Sequence, residues 1–152
     1  MEIFTALLGV VVGFVLSEGS KVFWSSRTNK TNFKAIRAEI EFCKEIAEVY
    51  LSQNIMAPLY RMPTKAYEAS LPQLLSSSAI EEEELKAVQK FYMEVESFNR
   101  GLDQAELARN DDAKLKAEYK RNQGKASYLT NTANNEKNYY NEVGRLLTIR
   151  CS

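Results

Sequence analysis

The sequence predicts an all-α protein in which a single N-terminal transmembrane helix continues into a cytoplasmic antiparallel helical bundle. Three observations lead there. Residues 3–16 are apolar at every position except Thr5. From Phe33 onward, apolar residues recur at steps of three and four, the period of amphipathic helices. No alternating apolar and polar run competes for a strand.

The first element is the anchor, placed at residues 1–24. A helix that is hydrophobic all round needs burial in protein or lipid. Ile3 to Leu16 would span only about 21 Å, short of the roughly 30 Å hydrocarbon layer. Continuing through Ser17, Glu18 and Lys21 to Trp24 extends it to about 33 Å, with Lys21 snorkelling and Trp24 suited to the headgroup region. Lys21, Arg27, Lys30, Lys34 and Arg37 follow with no acid between Glu18 and Glu39, whereas only Glu2 precedes the segment. Positive charge is retained inside, so the expectation is a bacterial inner-membrane protein with its N-terminus outside and its C-terminal domain cytoplasmic. Two other readings fit less well. A cleaved signal peptide lacks its basic leading region, and a buried helix of a soluble core explains only Glu18.

Thr5, Gly9, Gly13 and Ser17 recur every fourth residue, which sets small side chains along one helix face and includes a G-x-x-x-G pattern. Backbones can approach closely there, so a homo-oligomer packed through this ridge is expected. Glu18, a charge at the membrane boundary, faces water, a cation or an oligomer interior, or else pairs with Lys21 at the interface.

Residues 25–32 form a juxtamembrane linker of weak helix formers without proline or glycine, a place for a hinge. The cytoplasmic domain covers 33–152. Its first helix buries Phe33, Ile36, Ile40, Cys43, Ala47 and Tyr50. Pro58 and Met62-Pro63-Thr64 mark a break and restart, followed by a short helix over 64–76 that Pro72 kinks. Ser78 with Glu81 makes a capping-box signature, and Glu81 to Glu84 suit the positive end of a helix dipole. The long helix that follows shows Leu85, Val88, Tyr92, Val95 and Leu102 on one face, widened by Phe91, Phe98 and Ala105. Asn110-Asp111-Asp112 reads as a turn and new N-cap. Tyr119, Ala126, Leu129, Ala133, Tyr140, Val143 and Leu147 keep helical spacing to the end, while Gly124 and the asparagines from Asn131 to Asn141 weigh against one continuous helix.

Composition restricts the chemistry. Of 152 residues 45% are hydrophobic and 26% charged, as in folded proteins, and twenty basic residues balance twenty acidic ones, so bulk nucleic-acid binding is not expected. Histidine is absent, which removes Ser-His and Cys-His catalysis and the commonest metal ligand. Cys43 and Cys151 lack metal-ligand spacing. Phosphate-loop, dinucleotide and nucleophile-elbow patterns are also missing. No enzymatic activity, metal or cofactor is expected. Lys120, Arg121, Lys125 and Tyr128, beside Lys114, Lys116 and Tyr119, mix cations with aromatic rings and are the candidate ligand-binding residues, for example toward a nucleotide. The alternative is a solvated helix face diluted by Asp111, Asp112 and Glu118.

The stretches ALLGVVVGFVLSEGSK, RMPTKAYEASLPQLL and LKAVQKFYMEVESFNR resemble those of a diffuse group of small bacterial proteins with an N-terminal anchor and a helical domain. The resemblance implies topology and a bacterial or phage-related origin, and supplies no activity. In size, topology and lack of enzymatic groups the chain is also similar to membrane-bound antiviral effectors, including those that type III CRISPR systems activate with cyclic oligoadenylates. The functional expectation is therefore a membrane-anchored oligomer in contact with lipid, whose bundle binds a protein partner or regulates the membrane helices. The alternative is a ligand-gated antiviral effector that disrupts the membrane.

Overall fold

A computed structural model describes the backbone of residues 2–53, 61–130 and 138–151, and the side chains of 25–52, 61–130 and 138–148. The described residues form five α-helices, α1 (Glu2–Gln53), α2 (Lys65–Ser76), α3 (Glu82–Leu107), α4 (Asp112–Tyr128) and α5 (Tyr139–Cys151), and contain no strand. The all-helical expectation therefore holds. Among the described residues no helix is long and apolar enough to cross a membrane. The segment on which the anchor expectation rests, with Thr5, Gly9, Gly13, Ser17 and Glu18, has side chains outside the described residues.

Helix α1 is unbroken over 52 residues, about 78 Å of helix. Residues 25–32 belong to it despite their weak propensity. Thr31 satisfies its hydroxyl within the helix by donating to the Arg27 carbonyl at 3.0 Å, and Asn29 and Asn32 are engaged by α2. Ser77 Oγ donates to Asn29 Oδ1 at 3.0 Å, and Asn32 Nδ2 donates to Gln73 Oε1 at 3.1 Å. These bonds join the start of the α1 core stripe to the end of α2. Farther along α1, Glu39 meets the start of α2, so the two helices run antiparallel. Pro72 sits inside α2 on an exposed position, where the i−4 carbonyl it leaves unpaired can reach water.

The predicted α1 stripe of Phe33, Ile36, Ile40, Cys43, Ala47 and Tyr50 is wholly buried. So are Val88, Phe91, Tyr92, Val95, Phe98, Leu102 and Ala105 of α3, while Leu85 is half-buried and Ala87, outside the predicted face, is buried as well. Helices α4 and α5 pack against both α1 and α3. Tyr50 meets Phe98 and Tyr119 at ring distances of 5.0 and 5.5 Å, and Glu41 accepts from the Tyr140 hydroxyl at 2.8 Å. The order of these contacts makes α3 parallel to α1 and sets α4 and α5, one after the other, antiparallel to both. Each fully buried large side chain adds about 1.5–3 kcal/mol of transfer free energy, which is why this one contiguous cluster organises the bundle.

Two expectations about helix ends are corrected. The N-cap of α3 is Glu81, not Ser78: a capping box joins Glu81 and Glu84, with the Glu81 N–H donating to Glu84 Oε2 at 2.9 Å. Ser78 instead adopts positive φ, 52°, in the turn after α2. The last predicted helix is two helices, since α4 ends at Tyr128 and α5 begins at Tyr139; Ala133 lies outside the described residues. Asp111 caps α4 as expected, accepting from the Lys114 N–H at 3.1 Å.

Candidate functional site

The bundle places its most organised polar constellation where α1, α2 and α3 meet. Glu39 lies on the core side of α1, between Ile36 and Ile40, and only 8% of its surface is exposed. A buried carboxylate needs its lone pairs satisfied. One oxygen accepts from the Ala66 N–H at 2.8 Å, and the other accepts from the Tyr67 N–H at 3.0 Å and the Tyr92 hydroxyl at 2.8 Å. Ala66 and Tyr67 are the second and third residues of α2, and its own N-cap, Thr64, makes no side-chain cap bond. Glu39 therefore caps α2 from a different helix, with its charge at the positive end of the α2 dipole.

Tyr67 and Tyr92, which both donate to the carboxylate, stack their rings at 4.0 Å with planes 13° apart. Burial, then the bond to Glu39, pushes the Tyr92 phenol well above the usual tyrosine range. Burial also pushes the Cys43 thiol up, with Glu39 adding to the effect, and its Sγ donates to the Pro63 carbonyl at 3.5 Å. A thiol held neutral in this way is inert. The segment entering α2 is fixed by Asn99, whose amide donates to the Met62 carbonyl and accepts from the Met62 N–H, both at 2.9 Å. These groups hold one another. Their arrangement supplies a joint between α1, α2 and α3. Beside the joint, a cleft of about 280 Å³ is lined by Arg61, Thr64, Glu68, Glu96, Asn99, Arg100 and Asp103, with Arg61 ion-paired to Asp103.

The four α4 candidates do not converge on a common ligand position. Arg121 pairs with Glu118 at 2.5 Å, Lys125 Nζ donates to the Ser97 carbonyl of α3 at 2.8 Å, and the Tyr128 ring meets Tyr139 edge-on at 6.2 Å. Lys120 is exposed to solvent. Lys125 and Tyr128 thus tie α4 to its neighbours. Among the described residues there is no group of three or more cysteine or acidic side chains placed to hold a metal ion.

A second feature is the outer face of α1. Phe42 is 53% exposed, and Ala38 is exposed one turn before it, with Ala35 and Val49 half-exposed nearby. These residues give α1 an exposed apolar stripe away from the bundle core.

Neither Glu39 nor Phe42 emerges from the sequence reading. A carboxylate between two core isoleucines was the available signal for Glu39. Phe42 falls outside the three-and-four stripe that the sequence reading follows along α1, and it is exposed. No protein family, curated protein or solved structure matches the chain in any of the three comparisons.

Proposed function

We propose that the chain is a non-enzymatic, single-pass protein of the bacterial inner membrane that self-associates along α1. Its bundle stands on the cytoplasmic side, where it binds a protein partner or regulates the membrane helices. The observation that carries this reading is the continuity of α1 from Glu2 to Gln53. One rigid helix supplies both the apolar N-terminal segment and, from Phe33 to Tyr50, the central stripe of the bundle core. Rotation or separation of the N-terminal segments is thereby coupled to the bundle without a hinge. The exposed apolar stripe at Ala38 and Phe42 supports association of two copies through this face of α1. Anchoring in one orientation makes their first helices parallel, so the same face of each meets the other about a two-fold axis.

The test is carbonate extraction of membranes containing the full chain, with disulfide cross-linking of Ala38→Cys in a Cys151→Ser background. Retention in the membrane and a cross-linked dimer that Gly9→Leu/Gly13→Leu weakens are expected. Release by carbonate overturns the anchor; retention without any cross-link overturns the association.

A further inference from the structure

Helix α4 turns toward solvent a face that the core does not use. Ala113, Lys116, Ala117, Lys120 and Gly124 recur at steps of three and four and are all exposed, and exposed Lys114 and Arg121 border them. These residues fall within a sector of about 160°. The sector holds four cations and no acid, since Asp112 and Glu118 lie just beyond its two edges. Lys114 and Arg121 are ion-paired, to Asp111 at 3.1 Å and to Glu118 at 2.5 Å. Lys116 and Lys120 have no ion-pair partner among the described residues.

Along its α3 edge this face becomes apolar. Leu107, the last residue of α3, is 81% exposed. Together with Ala108, Lys114, Ala117, Glu118 and Arg121 it lines a cleft of about 310 Å³ between the two helices. Because α3 runs parallel to α1, the cleft lies at the end of the bundle away from residues 2–24.

The chemistry chooses among occupants. Nucleic acid is held by cations on its phosphates and, where single-stranded, by rings on which bases stack. Both α4 rings are already engaged, Tyr119 with Tyr50 at 5.5 Å and Tyr128 with Tyr139 at 6.2 Å, and phosphate contacts leave Leu107 without a role. A second copy of the chain offers its acidic run at Glu81 to Glu84, which opens α3. That run lies about 35 Å along the helix from Leu107, so copies standing side by side hold the two at different heights. An exposed leucine beside four cations matches instead a helix that carries acids around an apolar side chain.

We infer that the exposed face of α4, with Leu107 of α3, docks an acidic amphipathic helix of a protein partner. An apolar side chain of that helix enters the cleft beside Leu107, and its carboxylates meet Lys116 and Lys120. The inference rests on the reading that the bundle binds a protein partner, and it supplies the surface and the chemistry of that partner.

The experiment is fluorescence anisotropy of a labelled synthetic peptide titrated with the full chain in mild detergent. The peptide has about twenty residues, with leucine at steps of three and four and glutamate elsewhere. Saturable binding is expected, weakened about tenfold by Leu107→Ala and about fivefold by Lys116→Gln/Lys120→Gln, with the melting temperature unchanged in both variants. A peptide with alanine in place of leucine should bind about tenfold more weakly. No saturation by about 100 μM overturns the docking face. Binding that either variant leaves unchanged also overturns it, while keeping an acidic partner for the bundle at another site. Single-stranded or duplex DNA bound as tightly as the peptide, with dependence on Lys116 and Lys120 but not on Leu107, replaces the helix with a polyanion and overturns the inference. None of these results touches membrane retention or the Ala38→Cys cross-link, which test the anchor and the association separately.

Discussion

Glu39 of α1 accepts the Tyr92 hydroxyl of α3 at 2.8 Å while the same carboxylate caps α2 through the Ala66 and Tyr67 N–H groups. Three helices far apart in sequence thus share one buried anion. Each bond alone is modest, but removing the acceptor strands three donors in a site with little water. Glu39→Ala is expected to cost about 3–5 kcal/mol, measured by urea denaturation. Glu39→Gln, which keeps one carbonyl acceptor, should cost less than half of that. Equal losses for the two variants would show that packing and not capping matters here.

The Tyr92 phenol is raised by burial and then by its bond to Glu39. In the unfolded chain it ionises near pH 10, while the folded protein keeps it protonated. Its contribution is therefore fully present below pH about 10 and declines as pH rises above that value. Cys43, raised by burial and then by Glu39, begins to decline near pH 8.5 in the same sense. Melting temperature is expected to fall from pH 8.5 upward. Tyr92→Phe should lower stability at pH 7 by about 1.5–3 kcal/mol and flatten the part of the decline above pH 10. A slope unchanged in that variant would assign the decline to other groups.

Gly101 of α3 lies against Asn122 of α4, with the amide oxygen 1.7 Å from where a Cβ would stand. The Asn122 side chain is fully buried, and its Oδ1 has no hydrogen-bond partner among the described residues. It faces the Gly101 Cα–H, a weak contact that only glycine permits. Gly101→Ala gains about 1 kcal/mol of helix propensity yet should cost a net of about 1–3 kcal/mol from overpacking. Asn122→Ala in the same chain should recover much of that loss, and additivity in this double-mutant cycle would refute the contact.

Ser78 adopts φ of 52° between α2 and α3, in the left-handed region where a side chain is strained. Ser78→Gly should raise stability by up to about 1 kcal/mol by thermal melting. A loss would mean that the serine side chain contributes more to this turn than its backbone strain costs.

The Asp111 carboxyl is held below the usual range by the Lys114 N–H first and by the Lys114 ammonium second. Its contribution is complete above pH about 4 and disappears as pH falls through the lowered value. Asp111→Ala should therefore destabilise α4 at pH 7 and have little effect near pH 2. Hydrogen exchange of the Lys114 amide at the two pH values tests this, and protection unchanged at pH 7 would exclude the cap.

The sequence by itself determined the helices and their inward faces. The three-and-four spacing of Phe33 to Tyr50 and of Val88 to Ala105 follows from helix geometry, so residues eligible for burial are legible without knowing what covers them. Asp111 was equally legible because an N-cap acts within three residues of itself. Only the tertiary structure decided what depends on distant partners. Glu39 serves as a cap because α2 ends its chain entry against it, through Asn99 holding Met62. Lys125 and Tyr128 became joints between helices because α3 and α5 approach them. Phe42 stays exposed because, among the described residues, no helix covers that side of α1. Local periodicity fixes which side of a helix is apolar, but the partner for a polar or outlying group is chosen by the packing of segments tens of residues away.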